Sequence, residues 1–229
     1  MFCTKPSPQL IELKNKIIIF DLDDTLYDSR MFASQGFHSV SIFLSKITNI
    51  DKEIIYYKII SFSKTNKNKA FNMILEYLNL PKKHLKKLLN IYRYSSKKLS
   101  IYDDAKYLLN RLGLKKSFLI TDGNKKMQKT KINYLKISKY FKKIFITNQY
   151  GIKNNKPSVF CFEKIRKLEK TTFNNLVYIG DNPKKDFLVK KYGITTIRLK
   201  RGIYKKLKLS NKFEADHDII NLRKLTNFI

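Results

Sequence analysis

Five short apolar runs set the frame for this chain: Ile17–Phe20, Phe118–Ile120, Ile144–Ile146, Leu176–Ile179 and Thr196–Leu199. The first four do not alternate with polar residues, so they do not read as strands with one wet face. Unbroken apolar runs of this length fit strands buried on both faces of a parallel sheet. Between most of them lie stretches that read as helices. Asp103–Leu112 ends at Gly113, a good residue to follow a helix end, and Pro157 and Pro183 each suit the first position of a helix. The alternation predicts an α/β chain with a doubly wound parallel sheet and right-handed crossovers.

One crossover is too long for that pattern. The last four runs start 26, 32 and 20 residues apart, whereas Ile17 and Phe118 are 101 apart. A βαβ unit needs about 30 residues, which leaves roughly 70 surplus. The surplus carries helical faces. Ile55, Ile59 and Phe62 are spaced i, i+4, i+7, and both Phe71, Ile74, Leu75, Leu78 and Leu85, Leu88, Leu89, Tyr92 fill an i, i+3, i+4, i+7 stripe. Pro81 marks a boundary between two of them. The simplest account is an inserted all-helical subdomain over residues 30–99, within a core made of 1–29 and 100–229.

Composition narrows the class of protein. With 43% apolar residues the chain can bury a core. No apolar run approaches the ~18 residues of a membrane span. The first fifteen residues, with Pro6, Pro8 and Glu12, lack the apolar centre of a secretory signal. Cys3 and Cys161 make no disulfide framework, and no Cys/His cluster has zinc spacing. These features predict a soluble cytoplasmic protein with no membrane partner, either monomer or homodimer. The net charge is +30. Lysine supplies most of it, scattered through every segment, alongside heavy use of Asn, Ile, Tyr and Phe. That reads as compositional drift, and no specific nucleic acid is expected as a partner. The competing class is a basic nucleic-acid-binding protein that keeps the fold.

In an open parallel sheet, ligands bind at the carboxyl ends of the strands. After Ile17–Phe20 comes Asp21-Leu22-Asp23-Asp24-Thr25; after Phe118–Ile120 comes Thr121-Asp122-Gly123. Ile144–Ile146 is followed by Thr147 and a loop to Lys156-Pro157, and Leu176–Ile179 by Gly180-Asp181 and then Asp186. For a chain with only 18 acidic residues, that concentration is high. Asp21 and Asp23, two residues apart, can project to the same side. One carboxylate beside a hard cation can attack phosphorus, and its neighbour can protonate a departing alkoxide and later deprotonate water. Asp181 adds an oxygen ligand for Mg²⁺, Lys156 a point charge and Thr121 a hydroxyl donor. Taken singly, each has a plainer reading: a capped surface turn for Asp21-x-Asp23, a solvated side chain for Lys156, a helix-dipole partner for Asp186. Together, in order at four strand ends, they describe phosphoryl transfer through an aspartyl-phosphate.

These residues resemble the haloacid dehalogenase superfamily, whose four ordered motifs sit on a Rossmann-like core. D-x-D-x-T reads Asp21-Leu22-Asp23-Asp24-Thr25, a strand-end hydroxyl reads Thr121, the motif lysine reads Lys156 before Pro157, and G-D-x-x-x-x-D reads Gly180-Asp181 to Asp186. The resemblance implies Asp21 as nucleophile, Asp23 as general acid/base, and phosphate binding by Thr121 and the Asp122 backbone N–H. It further implies Mg²⁺ on Asp21, the Asp23 carbonyl and Asp181, with Asp186 one layer out. The surplus helices fall where this family inserts its first type of cap. Thr121 and Lys156 lie 35 residues apart, too close for the second type. One departure stands out: Gly151-Ile152-Lys153-Asn154-Asn155-Lys156-Pro157 is longer than the common G-x-x-K-P, so Lys153 is the runner-up.

The family holds phosphatases, mutases, phosphonatases and dehalogenases. A halide leaves without protonation, so a dehalogenase has no need of a second Asp such as Asp23. The expected activity is therefore Mg²⁺-dependent hydrolysis of a small-molecule phosphate ester. A sugar or polyol phosphate is favoured and a nucleotide monophosphate next; a phosphosugar mutase or dehalogenase is the alternative.

Overall fold

The computed structural model describes residues 13–66, 68–94, 98–113 and 117–228; Cys3 and the segment holding Pro6, Pro8 and Glu12 lie outside the described residues. Six strands form one sheet: β1 (Ile17–Phe20), β2 (Ser117–Thr121), β3 (Lys143–Ile146), β4 (Leu176–Gly180), β5 (Thr195–Leu199) and β6 (His217–Ile219). Their order is β3-β2-β1-β4-β5-β6, and every neighbouring pair is parallel. The five apolar runs are five of these strands. The sixth is additional to them: His217-Asp218-Ile219 buries only Ile219, so it leaves no apolar run to read.

The chain winds outward from β1 in one direction to β3, then returns to β4 on the other side of β1. That reversal makes β1 and β4 a topological switch point, where the loops leaving the two strand tips diverge and open a crevice. Below it the sheet is dry. Ile19, Phe118, Ile120, Phe145 and Tyr178 pack with Phe162 and Ile165 of the helix Phe160–Leu168, and the Phe162 and Tyr178 rings meet edge to face at 5.0 Å. The helix Asp103–Leu112 ends at Gly113, whose φ of 67° suits a residue without a Cβ.

Neither proline starts a helix. The helix after Lys156 begins at Phe160, because Ser158 N bonds Asn155 O at 2.9 Å and residues 155–158 are used in a turn. After Pro183, Asp186 N and Lys185 N both return to Asn182 O, and a 3₁₀ helix, Phe187–Tyr192, follows in place of an α-helix.

A second compact unit holds Ser29–Ser100 together with Lys129–Leu135. It contains α1 (Ser29–Thr48), α2 (Lys52–Thr65), α3 (Ala70–Tyr77) and α4 (Leu85–Tyr94). The helices α5 (Asp103–Leu112), α6 (Lys125–Leu135) and α7 (Phe160–Leu168) follow in the chain. The unit has its own core of Val40, Leu44, Ile55, Ile59, Ile74, Leu75 and Leu88. Asp51 starts α2 by accepting from Glu53 N and Ile54 N. One stripe is narrower than expected: Leu85, Leu88 and Tyr92 pack inward, while Leu89 is 38% exposed. Among the described residues, no helix is long and apolar enough to cross a membrane.

Candidate active site

Asp21 continues β1 by one more bond, its N–H donating to Ile179 O at 2.9 Å, so the carboxylate leaves the sheet at the switch point. The chain then turns sharply, with Asp24 at φ 56° and Leu26 N returning to Leu22 O at 3.0 Å. Asp21 and Asp23 have different surroundings. Asp21 lies buried beside Lys156, whereas Asp23 Oδ1 accepts from the Tyr27 hydroxyl at 2.6 Å and Oδ2 from Gln128 Nε2 at 3.0 Å.

Lys156 is only 7% exposed. Its Nζ stands 2.7 Å from Asp21 Oδ1, 2.8 Å from Asp186 Oδ1 and 3.0 Å from the Tyr178 hydroxyl. Lys153 sits exposed in the 3₁₀ turn Ile152–Asn154. Of the two lysines, the structure brings Lys156 to Asp21. Its backbone is set by Asp122, whose Oδ1 accepts from Lys156 N at 3.1 Å and from the Thr147 hydroxyl at 2.7 Å. Thus the Asp122 side chain ties the β2 and β3 loops together, and Lys185 Nζ approaches its other oxygen at 3.8 Å.

At the tip of β4, a Cβ on Gly180 would fall inside the Asp186 carboxylate, so only glycine lets the loop fold back. Asp186 Oδ2 accepts from Asn182 N at 3.0 Å, and its Oδ1 takes the Tyr178 hydroxyl at 3.2 Å. Each of Asp21, Asp181 and Asp186 offers an oxygen within 4.8 Å of the others, all three residues being buried.

The electrostatics of this cluster are unbalanced. Burial pushes the Asp21 carboxyl up to about 7, against the pull of Lys156. Burial, then the charges of Asp21 and Asp186, push Asp181 to about 9. Burial alone would lower Lys156; the Asp186 and Asp21 carboxylates override it and hold the ammonium well above its ordinary range. The Lys156 ammonium is in contact with Asp21 and Asp186, and Asp181 receives only its weaker, more distant field. Three crowded acids with all-oxygen donors and one lysine fit a hard divalent cation such as Mg²⁺.

Two side chains at the site carry no signal in the sequence. Tyr178 sits inside the buried run of β4, where its hydroxyl is hidden among apolar neighbours. Gln128 is uncharged and lies seven residues past Thr121, where only the placement of α6 brings it back. Thr121 is buried at the end of β2, its Oγ1 accepting from Gln128 Nε2 at 2.5 Å.

Residues 18–199, from within β1 to the end of β5, match the haloacid dehalogenase-like hydrolases. The chain is a member of that family. Among curated relatives of this hydrolase is a glyceraldehyde 3-phosphate phosphatase of Methanocaldococcus jannaschii, 29% identical over 93% of the chain and 96% of the relative. Another, of the same name, from Pyrococcus furiosus, is 26% identical over 92% and 91%. Among solved structures, the magnesium-bound YfnB hydrolase of Bacillus subtilis superposes with a TM-score of 0.67 at 19% identity, covering 93% of this chain and 97% of that one. A 2-haloacid dehalogenase from Pseudomonas syringae gives 0.65 at 18% identity, with coverages of 93% and 97%. The structural likenesses establish a shared fold, which phosphatases and dehalogenases use alike.

Proposed function

We propose that this hydrolase is a Mg²⁺-dependent phosphatase that cleaves a small phosphorylated sugar or polyol through an aspartyl-phosphate on Asp21. The observation that carries the reading is the contact of Lys156 with Asp21 inside the buried cluster of carboxylates. A carboxylate can approach a phosphate dianion only where positive charge offsets their repulsion; Lys156, with a cation held by the surplus carboxyls, would supply it. The relatives named as triose-phosphate phosphatases support the substrate class.

Asp21, the Asp23 carbonyl and Asp181 would hold Mg²⁺, with Asp186 anchored behind them by Asn182 N, Tyr178 and Lys156. When bound, the ion neutralises charge on the phosphoryl group and orients it. Asp21 attacks phosphorus, forming an Oδ–P bond as the ester P–O bond breaks. Asp23 gives its proton to the departing alkoxide. Water then attacks the aspartyl-phosphate, Asp23 takes a proton from it, and the Oδ–P bond breaks to release inorganic phosphate. The Thr121 hydroxyl, the Asp122 N–H and Lys156 hold the phosphoryl oxygens throughout. The need for a proton donor at Asp23 favours an alkoxide over a halide as leaving group. In this reading the helical unit acts as a cap and selects the alcohol.

Phosphate release from a panel of sugar, polyol and nucleoside monophosphates tests the proposal. Small sugar or polyol phosphates should be turned over best, chelation should abolish turnover and Mg²⁺ should restore it. Turnover that survives exhaustive chelation, or no release from any ester, sinks the reading.

A further inference from the structure

Asn124 starts α6 by accepting from Lys126 N at 3.0 Å and Met127 N at 3.2 Å, so the helix begins directly after the β2 loop. Gln128 belongs to its first turn, its N–H reaching Asn124 O at 3.0 Å. Helical side chains lean toward the N-terminus, and this one therefore returns to the strand end from which the helix sprang. The residue is 1% exposed, and its amide nitrogen lies 3.0 Å from Asp23 Oδ2 and 2.5 Å from Thr121 Oγ1.

The two hydrogens of that nitrogen have two acceptors. Both acceptors are oxygens, so Gln128 turns its nitrogen, not its oxygen, toward Asp23 and Thr121. Thr121 takes the second N–H on its oxygen, and its own O–H must then point away from Gln128. A buried primary amide is costly unless such bonds are made, and an apolar side chain would fill the same volume more cheaply. The fit is close on the other side too: a Cβ at Gly123 would stand 3.4 Å from Gln128 Cδ.

We propose that Gln128 is a positioning residue that ties the Asp23 carboxylate to the Thr121 hydroxyl and fixes the direction of both. The inference rests on the roles given above to Asp23 and Thr121. At 1% exposure Gln128 offers almost no surface to a substrate; it acts through Asp23, aiming the proton donor, and through Thr121, turning its O–H outward. Small displacements of such groups are expensive, since a misplacement of about 1 Å can cost on the order of 10²-fold.

The test is a double-mutant cycle on an alkyl phosphate that the wild-type enzyme hydrolyses. Gln128→Met keeps the length and removes both donors. It should lower kcat about 30-fold, with KM moved less than about threefold. Made in an Asp23→Asn background, the same change should cost less than about fivefold, because only the effect carried through Thr121 remains. A merely structural role would give equal losses in both backgrounds. Equal losses, or an unchanged kcat in Gln128→Met, overturn the inference while leaving the phosphatase reading intact. A wild-type enzyme without phosphatase activity brings down that reading and this inference with it. If Gln128→Met fails to fold, Gln128→Asn, one methylene too short to reach both oxygens, takes its place in the cycle, with the same losses expected and the same results overturning the inference.

Discussion

The unit built on the sheet buries carboxylates in two places and treats them in opposite ways. Asp104, 8% exposed in the first turn of α5, accepts from the Arg201 guanidinium, from Leu222 N at 2.8 Å and from Ala105 N at 2.9 Å. Burial alone would raise its carboxyl, but those donors and the Arg201 charge hold it below the ordinary range. At the switch point, Asp21 is raised to about 7 and Asp181 to about 9. Both places are dry, so burial does not distinguish them. What differs is whether the fold itself supplies the donors. Asp104 is satisfied by its own chain and joins α5, the β5 loop and the C-terminal segment. Asp21 and Asp181 are left in conflict, as is common for acids at functional sites.

The largest expected effect breaks the conflicted side. Asp21→Asn should reduce phosphate release by more than about 10⁴-fold and leave no phosphoenzyme. Its unfolding temperature in metal-free buffer should hold or rise, because burial disfavours the Asp21 charge and Asp186 still pairs with Lys156. Asp23→Asn should cost about 10²–10⁴ with an alkyl ester, yet still give a burst of nitrophenol from nitrophenyl phosphate. Labelled phosphate mapped to a residue other than Asp21 would refute the assignment.

Asp104→Ala probes the satisfied side. It strands a largely buried guanidinium, and urea unfolding should show a loss of about 3 kcal/mol. With substrate, the folded enzyme should keep its kcat within about twofold. A large fall in kcat without loss of stability would erase the contrast between the two places.

The smallest effect lies in acid. The folded-state pKa of Asp104 is depressed, so below the ordinary carboxylate range the unfolded chain takes up the proton first. Its contribution is therefore full at neutral pH and fades as pH falls through about 4 toward the folded value. Thermal unfolding followed from pH 6 to 3 should fall less steeply for Asp104→Asn than for the wild type. Parallel curves would mean that Asp104 carries no linked proton.

Much of this architecture is legible in the sequence, for a physical reason. Strands buried on both faces are mostly apolar, so β1 to β4 stand out and β5 less so, its buried Arg198 being paired with Glu214; the acids after β1, β2 and β4 are conspicuous against a background of lysine. Lys156 can be read only as one of two candidates, since spacing does not report which ammonium is buried. The prolines mislead because a turn, closed by Ser158 N on Asn155 O, comes before α7. Gln128 and Tyr178 are invisible. Their contributions depend on how far a neutral side chain reaches from a packed helix or strand, and neither charge nor periodicity encodes that reach.

The central place of β1 also has a consequence for synthesis. Ile18 pairs with Ser117 on one side and Val177 on the other, so both partners are made long after it. A nascent chain therefore makes α1 to α4, whose residues form a separate core, before β1 has any neighbour in the sheet. Such non-local pairing is slow, and the apolar segment Ile17–Phe20 is exposed to aggregation while it waits. Because Asp186 comes last among the clustered acids, Asp21, Asp181 and Asp186 cannot come together until most of the chain has been translated.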